Sequence, residues 1–238
     1  MHRLVEAGEQ FFIQFSCCRI VYPSLMRFRF PKVYPILDSS RIPNTDRAKF
    51  LLRLGCSLAE SGVTLLEYRN KCGPVAELIA DAGVLRAAMP AGQVKLILDD
   101  RVDLIELIGF DGVHLDAGDL SPAVARRLLG QRFIIGTFGG SDVLLPGILE
   151  APADYFAIGP VYATTTKKTD KPPIGPEGVR RLREQGGPVP VLTAAAGITL
   201  ETAPLVLDAG ATAVAVSEAL FRQADPAAEF RRWMAELA

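Results

Sequence analysis

The feature that most constrains the fold is an alternation of short apolar runs with helical stretches, repeated eight times from Lys32 onward. The apolar runs occupy residues 33–37, 64–69, 94–98, 112–115, 132–136, 154–158, 189–194 and 212–216. The helical stretches occupy residues 45–61, 75–88, 101–108, 121–129, 141–150, 176–185, 199–208 and 217–222. The runs are almost continuous in apolar residues, as expected of parallel strands that are buried on both faces.

Eight strand–helix units in succession favour a closed (β/α)8 TIM barrel, an α/β fold. The alternative is an open doubly wound sheet, which normally carries a glycine-rich G-x-G-x-x-G turn after its first strand. Residues 36–42 (ILDSSRI) contain no such turn. A chain of 238 residues also suits one barrel domain. We therefore predict a single barrel over residues 31–238.

Residues 1–30 precede this alternation and mix apolar with charged residues. They contain neither a small-residue cleavage site nor the stretch of about 20 apolar residues that a membrane span needs. We interpret them as an N-terminal extension, helical or disordered, or as an over-extended gene start with Met26 as the true beginning. We expect no chemistry in this segment, no membrane partner and a cytoplasmic location.

Charge and cysteine content exclude further classes of protein. The 26 basic and 27 acidic residues are spread along the chain, unlike the basic face of a nucleic-acid-binding protein. The four cysteines lack metal-ligand spacing and are interpreted as free thiols in a reducing compartment: Cys17, Cys18, Cys56 and Cys72. Whether the chain forms a homo-oligomer stays open.

Polar residues follow the predicted strands at their C-terminal ends, where TIM barrels hold their active sites. Strands 2, 3 and 4 lead into residues 67–71 (EYRNK), 99–101 (DDR) and 114–119 (HLDAGD). Strands 6 and 7 lead into residues 159–168 (GPVYATTTKK) and 195–198 (AAGI), and strand 8 ends at Val216 and Ser217. Unrelated polar surface residues would not all fall at the C-terminal ends of the strands, so we expect these residues to form one functional site.

The residue types at this rim favour a site for phosphorylated molecules. Carboxylates on adjacent strand ends suit Mg²⁺, which prefers oxygen ligands. Three cations can neutralise a diphosphate: Arg69, Lys71 and Lys167. Gly197 and the Val216–Ser217 turn precede helices after strands 7 and 8, where barrels often hold a phosphate. Two anion sites, one with metal, imply two phosphorylated substrates and a synthase that joins them.

Each feature also has a purely structural interpretation. Three carboxylates are individually more often helix caps than metal ligands: Asp99, Asp100 and Asp119. Residues 164–168 taken alone are compatible with a polar surface loop, and Gly197 with a tight turn. His114 lies on an inward strand and is interpreted as a core histidine with satisfied nitrogens. Only their joint placement on one rim favours function.

Over residues 33–222 the chain resembles the thiamine-phosphate synthase family. The motifs are YRNK (68–71), DDRVD (99–103), DGVHL (111–115) followed by Asp119, GPVYATTTK (159–167), AGIT (196–199) and VAVS (214–217). The resemblance implies a transferase with Mg²⁺ as cofactor. Its reaction condenses 4-amino-5-hydroxymethyl-2-methylpyrimidine diphosphate with a thiazole phosphate to give thiamine phosphate and diphosphate.

The resemblance also implies residue roles. Asp100 and Asp119 would hold Mg²⁺. Arg69, Lys71 and Lys167 would bind the diphosphate and stabilise its charge as it leaves, which is electrostatic catalysis. Thr164 and Thr166 would contact the thiazole, and its phosphate would lie at Gly197, Val216 and Ser217. The other residues assigned to substrate binding are Glu67, Tyr68, Asn70, Asp99, Phe138 and Thr165.

The chain departs from the family pattern at four positions. Glu67 replaces the usual Gln, Asp99 the usual Asn, Phe138 the usual Ser, and Ala196 a second Gly. The first three belong to the pyrimidine-diphosphate pocket. Added carboxylates would repel a diphosphate unless they are protonated, metal-bound or turned toward the aminopyrimidine. A phenylalanine can stack on the pyrimidine, but it cannot donate the hydrogen bond of a serine.

Two other functions are compatible with this barrel. The sister thiazole tautomerase uses a histidine shortly after strand 5 as its acid and base, where this chain has Gly140. A non-catalytic protein that binds thiamine precursors has no need of Asp100, Asp119 and Lys167. The sequence therefore favours the synthase.

Overall fold

The computed structural model describes residues 28–164, 170–188 and 190–238. Its strands form a closed parallel barrel in sequence order, which confirms the predicted TIM barrel and not the open sheet. The strands are β1 (Val33–Asp38), β2 (Leu65–Arg69), β3 (Lys95–Asp99), β4 (Gly112–Leu115), β5 (Ile134–Gly140), β6 (Tyr155–Ile158), β7 (Leu192–Ala195) and β8 (Ala213–Val216). The ring closes where Val33 of β1 pairs with Val214 of β8.

The α-helices of the described residues surround the barrel: α1 (Arg47–Glu60), α2 (Val75–Ala88), α3 (Ile105–Ile108), α4 (Pro122–Leu129), α5 (Gly175–Gly186), α6 (Ala203–Asp208), α7 (Glu218–Phe221) and α8 (Pro226–Glu236). The sequence did not predict α8. Asp225 caps it by accepting from the Ala228 backbone N–H at 2.9 Å, and Pro226 occupies the first turn. Trp233 of this helix is fully buried.

The predicted helix at 141–150 is wrong. Between β5 and β6 the chain makes an antiparallel bridge from Gly140 to Leu144 and one 3₁₀ turn at Ile148–Glu150. Pro146 cannot donate a helical hydrogen bond and disfavours helix before it, and Gly147 is left-handed with φ 68°. β5 itself is longer than predicted and includes Phe138.

Side chains alternate between the barrel interior and the layer beneath the helices, because successive residues of a strand point to opposite faces. The interior holds its own apolar cluster of Tyr34, Leu65, Ile97, Ile134, Tyr155 and Ala215. Phe28 and Phe30 pack against this cluster, so two residues of the predicted extension contact the core. The remainder of that extension, residues 1–27, lies outside the described residues.

Two sequence expectations concern the surface. Cys56 and Cys72 are exposed free thiols, as expected, while Cys17 and Cys18 lie outside the described residues. Within the described parts of the chain, no helix is both long enough and apolar enough to cross a membrane.

Candidate active site

A cavity of about 690 Å³ opens at the C-terminal end of the barrel. Every strand contributes an inward side chain or backbone to its lining: Ile36, Glu67, Asp99, His114, Phe138, Ala157, Ala195 and Ala215. The loops that follow the strands add polar groups above this ring. The site thus lies where the strand order and the barrel geometry predict it.

A charged cluster, defined as Asp38, Arg69, Lys71, Asp99, Asp100 and Asp116, occupies the β1–β4 side of the cavity. Arg69 Nε lies 3.1 Å from Asp99 Oδ2, and its guanidinium also bonds Asp38. Lys71 Nζ lies 3.2 Å from Asp99 Oδ2 and 3.7 Å from Asp116 Oδ2, and it donates to Asp100. The neighbouring strand ends bring together charges that are far apart in the sequence.

The carboxylates of this cluster form a candidate cation site. One oxygen each of Asp99, Asp100 and Asp116 lies within 4.8 Å of the others. Asp99 Oδ1 is buried, and no hydrogen-bond partner reaches it among the described residues. Asp119 lies beside them and accepts a hydrogen bond from the Asp116 N–H at 2.7 Å. The structure thus brings Asp100 and Asp119 together and adds two carboxylates to them.

The pKa values in the cluster reflect crowded negative charge. Burial and the nearby Glu67 raise the pKa of Asp99 to about 8. Burial and a hydrogen bond with Asp100 raise the pKa of Asp119 to about 6. Burial opposes ionisation of Asp100, but hydrogen bonds with Asp119 and Lys71 outweigh it and lower its pKa to about 2. A divalent cation would relieve this repulsion.

Glu67 lies at the floor of the cavity and is 3% exposed. Its Oε2 accepts a hydrogen bond from the Tyr34 hydroxyl at 2.6 Å. Burial raises the pKa of Glu67 to about 7, although the Tyr34 hydrogen bond opposes the shift. Glu67 and Asp99 are the two carboxylates that stand where the family usually has an amide. Near neutral pH they therefore carry less negative charge than exposed carboxylates do.

The assignment of Tyr68 and Asn70 to the substrate pocket needs correction. Glu67 and Arg69 point into the barrel, so Tyr68 between them points outward and is fully buried beneath the helices. Its hydroxyl donates to Asp81 of α2. Asn70 Nδ2 donates to the Tyr68 hydroxyl at 3.2 Å. Both side chains shape the β2–α2 connection and neither lines the cavity.

Phe138 lines the cavity from β5, as the pocket assignment requires. The Lys171 ammonium lies 4.6 Å from the centroid of its ring, within the range of a cation–π contact. Lys171 also lines the cavity and was missed in the sequence. Its position in the same β6–α5 connection as Lys167 was the available signal.

The β7–β8 side of the cavity is formed by backbone and small side chains. Gly197 has φ 66°, and a Cβ there would lie 2.4 Å from the Ala163 carbonyl oxygen. Only glycine fits this turn, and the turn also lines the cavity. Val216 and Ser217 line it too, and Ser217 Oγ is buried without a hydrogen-bond partner among the described residues. Ala196, which replaces the family's second glycine, is itself left-handed with φ 79°.

The β6–α5 connection is described only in part. Thr164 lines the cavity. Three residues assigned to the site lie outside the described residues: Thr165, Thr166 and Lys167. Their roles stay predictions.

His114 is both a residue of the barrel core and a residue of the cavity lining, the two interpretations that the sequence left open. Its Nδ1 lies 3.1 Å from the Tyr155 hydroxyl in the barrel interior, and the two rings stack with centroids 5.6 Å apart. The imidazole also lines the cavity floor between Asp99 and Phe138. A core histidine is therefore within reach of a ligand.

Comparisons with known proteins agree with this geometry. The family model described as thiamine monophosphate synthase matches residues 33–220. The thiamine-phosphate synthase of Koribacter versatilis is 38% identical over 188 residues, which cover 79% of this chain and 88% of that protein. That of Agrobacterium fabrum is 39% identical over 178 residues, 74% of this chain and 81% of that protein.

A solved structure has the same fold. The thiamine phosphate pyrophosphorylase from Pyrococcus furiosus superimposes with a TM-score of 0.69 at 26% identity, covering 87% of this chain and 95% of that chain. A family model that spans most of the barrel and curated relatives of this identity agree on one assignment. The chain therefore belongs to the thiamine monophosphate synthase family.

Proposed function

We propose that this chain is a thiamine-phosphate synthase. It transfers the pyrimidine-methyl group of 4-amino-5-hydroxymethyl-2-methylpyrimidine diphosphate to the ring nitrogen of a thiazole phosphate. The observation that carries the proposal is the convergence of Arg69 and Lys71 with Asp99, Asp100 and Asp116 on one side of a single cavity. The Gly197 and Ser217 turns on the opposite side support a second phosphate site.

The carboxylates of the charged cluster fit Mg²⁺. They offer carboxylate oxygens, the ligands that this hard cation prefers, and a buried oxygen of Asp99 lacks a hydrogen-bond partner among the described residues. Asp99, Asp100 and Asp116 would hold the ion, with Asp119 as a neighbouring ligand or support. Mg²⁺ bound there supplies positive charge to the diphosphate.

The reaction needs charge stabilisation and no proton transfer. The bond between the methylene carbon and the diphosphate oxygen breaks, and its electron pair leaves with the diphosphate. Arg69 and Lys71 hold that charge, with Lys167 as a predicted third cation. The lone pair of the thiazole nitrogen then forms the new carbon–nitrogen bond. The apolar walls at Ile36 and Ile158 keep water from capturing the carbocation.

The backbone at Gly140 argues against the tautomerase alternative. Gly140 has φ 152°, and a Cβ there would lie 2.1 Å from the Val143 carbonyl oxygen. A histidine at this position would therefore require the β5–β6 connection to move. None of residues 141–154 lines the cavity, so none of them is placed to replace that histidine.

The test is incubation of the purified full chain with both substrates and Mg²⁺, with thiamine phosphate detected by mass spectrometry. Lys71→Met should abolish most of the product. Lys95→Met is the matched control, because Lys95 pairs with Asp111 at 2.8 Å at the opposite end of the barrel. Absence of product with the wild-type chain would contradict the proposal. Tight binding of both substrates without product would favour the precursor-binding alternative.

Four predictions from the sequence accompany this proposal. They are a cytoplasmic location, no nucleic-acid partner, no membrane partner and small phosphorylated molecules as ligands. The homo-oligomeric state is a separate question, which sedimentation of the purified chain answers directly.

A further inference from the structure

A hydrogen-bonded network lies on the outer face of β2, between the barrel and helices α1 and α2. We call it the outer network and define it by its residues: Arg47, Tyr68, Asn70, Glu77 and Asp81. Asp81 of α2 is 3% exposed, and its carboxylate accepts from Arg47 Nε at 2.8 Å and from Arg47 Nη2 at 2.6 Å. The Tyr68 hydroxyl donates to the same carboxylate. A buried carboxylate that is paired in this way holds its partners in one arrangement.

Asn70 joins the outer network to the β2–α2 connection. The Tyr68 hydroxyl has one hydrogen, which it donates to Asp81, so its oxygen accepts from Asn70 Nδ2 at 3.2 Å. The same nitrogen donates to Glu77 Oε1 at 3.3 Å. Asn70 Oδ1 accepts from the Gly73 N–H at 2.7 Å, which closes the connection into a turn. The carboxamide of Asn70 therefore ties this turn to β2 and to α2.

Gly73 leaves the space that this carboxamide occupies. A Cβ at Gly73 would lie 2.7 Å from both Oδ1 and Nδ2 of Asn70 and 2.6 Å from Glu77 Oε1. These atoms end flexible side chains, so the backbone could keep its place only if both side chains moved away. Gly73→Ala therefore disrupts the same turn as Asn70→Ala, although it changes a different residue.

The residues on either side of Asn70 serve the cavity. Arg69 lines it, and Lys71 belongs to the charged cluster, where its ammonium pairs with Asp99 and Asp100. An anion in the cavity competes for those ion pairs, whereas the hydrogen bonds of Asn70 lie outside the cavity and persist. The bonds on the outer face thus fix the backbone from which the Lys71 ammonium reaches an anion.

We propose that Asn70 is a positioning residue for Lys71. Its carboxamide, held by the outer network, fixes the β2–α2 connection so that the Lys71 ammonium meets a diphosphate in the cavity. The proposal rests on the proposed function, because it takes diphosphate as the anion. It assigns a role in the reaction to a side chain that does not line the cavity.

The turn can be tested without any ligand, through hydrogen exchange of the Gly73 amide followed by NMR. This amide should exchange slowly in the wild-type chain, because Asn70 Oδ1 accepts its hydrogen. Asn70→Ala should accelerate the exchange about tenfold or more. The matched control is Asn44→Ala, at the only other asparagine of the chain, which is exposed and should leave the exchange unchanged. A wild-type amide that exchanges as fast as that of Asn70→Ala overturns the proposal.

The effect on Lys71 is measured by calorimetric titration with inorganic diphosphate and Mg²⁺. Asn70→Ala and Gly73→Ala should each weaken binding of the diphosphate about tenfold, the scale of a displaced positioning contact. In a Lys71→Met chain, Asn70→Ala should weaken binding no further, because the ammonium that it positions is gone. Losses that multiply in the double variant would show that Asn70 acts on the barrel as a whole, which contradicts the proposal.

A second pair of variants tests the hydrogen bond between Asn70 and Glu77. Asn70→Asp keeps the shape and the acceptor for the Gly73 N–H, but it sets a second carboxylate against Glu77 and should weaken diphosphate binding. Adding Glu77→Gln supplies an N–H donor and should restore most of the affinity. Adding Glu60→Gln instead, at an exposed carboxylate at the end of α1, should restore nothing. Equal restoration by both would show an effect of net charge and contradict the proposal.

Turnover separates this inference from the proposed function. Asn70→Ala should lower kcat for thiamine phosphate about 10–100-fold and change the Michaelis constant for the thiazole little, because Lys71 acts on the leaving diphosphate. Unchanged turnover in Asn70→Ala, in a chain that does form thiamine phosphate, contradicts this inference alone. Diphosphate binding that depends on Asn70 only through Lys71, in a wild-type chain that forms no product, supports the inference and overturns the proposed function.

Discussion

The Lys71 ammonium lies 3.2 Å from Asp99 Oδ2 and also bonds Asp100, so one cation lies at the point where the acidic side chains converge. A divalent cation at that point would release Lys71 toward the diphosphate. Metal and lysine would then act on the same substrate group from adjacent positions. The sequence predicted a metal site and Lys71 at this rim, and the structure shows that Lys71 contacts Asp99 and Asp100, two of the carboxylates proposed to hold the metal.

The first prediction concerns the cation site. Asp116→Asn and Asp100→Asn should lower turnover by orders of magnitude, because each removes a charge that holds Mg²⁺. Asp119→Asn should cost about 10–100-fold, the usual effect of a residue that supports a metal ligand. Initial rates measured against Mg²⁺ concentration give these values, and excess Mg²⁺ should restore part of the loss.

The matched control for the carboxylate variants is Asp103→Asn. Asp103 is exposed and pairs with Arg101 at 2.6 Å outside the cavity, so its loss should leave turnover unchanged. EDTA should inhibit the wild-type chain. Full activity in EDTA would show that Arg69 and Lys71 support the ionisation without metal.

The second prediction concerns Phe138. Phe138→Ala should raise the Michaelis constant for the pyrimidine substrate more than that for the thiazole, since ring stacking adds about 0.5–1.5 kcal/mol. Lys171→Met tests the cation above the same ring. It should weaken binding of a diphosphate more than binding of the pyrimidine alcohol, because it removes charge and keeps length. Equal effects of Phe138→Ala on both substrates would mark the ring as structural.

The third prediction is a decline in the stability of the metal-free chain between about pH 5 and pH 8. The pKa of Glu67 is raised to about 7 and that of Asp99 to about 8, so the folded state binds more protons than the unfolded state in this range. The free energy of unfolding therefore falls as pH rises, by a few kcal/mol as an order of magnitude. Each carboxyl that is protonated only in the folded state contributes about 1.4 kcal/mol per pH unit. Urea unfolding in EDTA measures it.

Glu67→Gln is the control for this pH dependence. It keeps the volume of Glu67 and an acceptor for Tyr34 but removes one titrating group, so the decline should become shallower. Asp100, whose pKa is lowered to about 2, stays ionised throughout this range and does not contribute. A stability that rises toward pH 8 would contradict the assigned burial of the two acids.

The fourth prediction concerns the N-terminal segment. Removal of residues 1–26 should leave turnover and the thermal transition unchanged, because Phe28 and Phe30 remain. Phe30→Ala should lower the free energy of unfolding by about 1–3 kcal/mol, less than for a fully buried phenylalanine. Phe30 packs 5.7 Å from the Tyr34 ring and closes the barrel interior from below. Calorimetry of both variants provides the test.

Leu128→Ala serves as the control for Phe30→Ala. Leu128 is 66% exposed on α4, so its truncation should change stability little. Precipitation of the chain without residues 1–26, or loss of its transition, would show that the segment takes part in folding.

The sequence alone predicted the barrel and the rim at which the cavity opens. Parallel strands buried on both faces must be apolar throughout, so the eight runs are visible without any contact. The helix predicted at residues 141–150 was wrong because Pro146 and the left-handed Gly147 interrupt that apolar stretch. The C-terminal helix α8 was missed because the count of eight units was already complete.

The tertiary structure decided which polar side chains face one another. Strand alternation turns Tyr68 outward and Glu67 inward, but the phase of that alternation depends on how the barrel closes. Asp116 joins Asp99 and Asp100 only because β3 and β4 are neighbours in the ring. The chemistry of each residue type is therefore readable from sequence, whereas distances, burial and the resulting pKa shifts arise only when the strands are brought together.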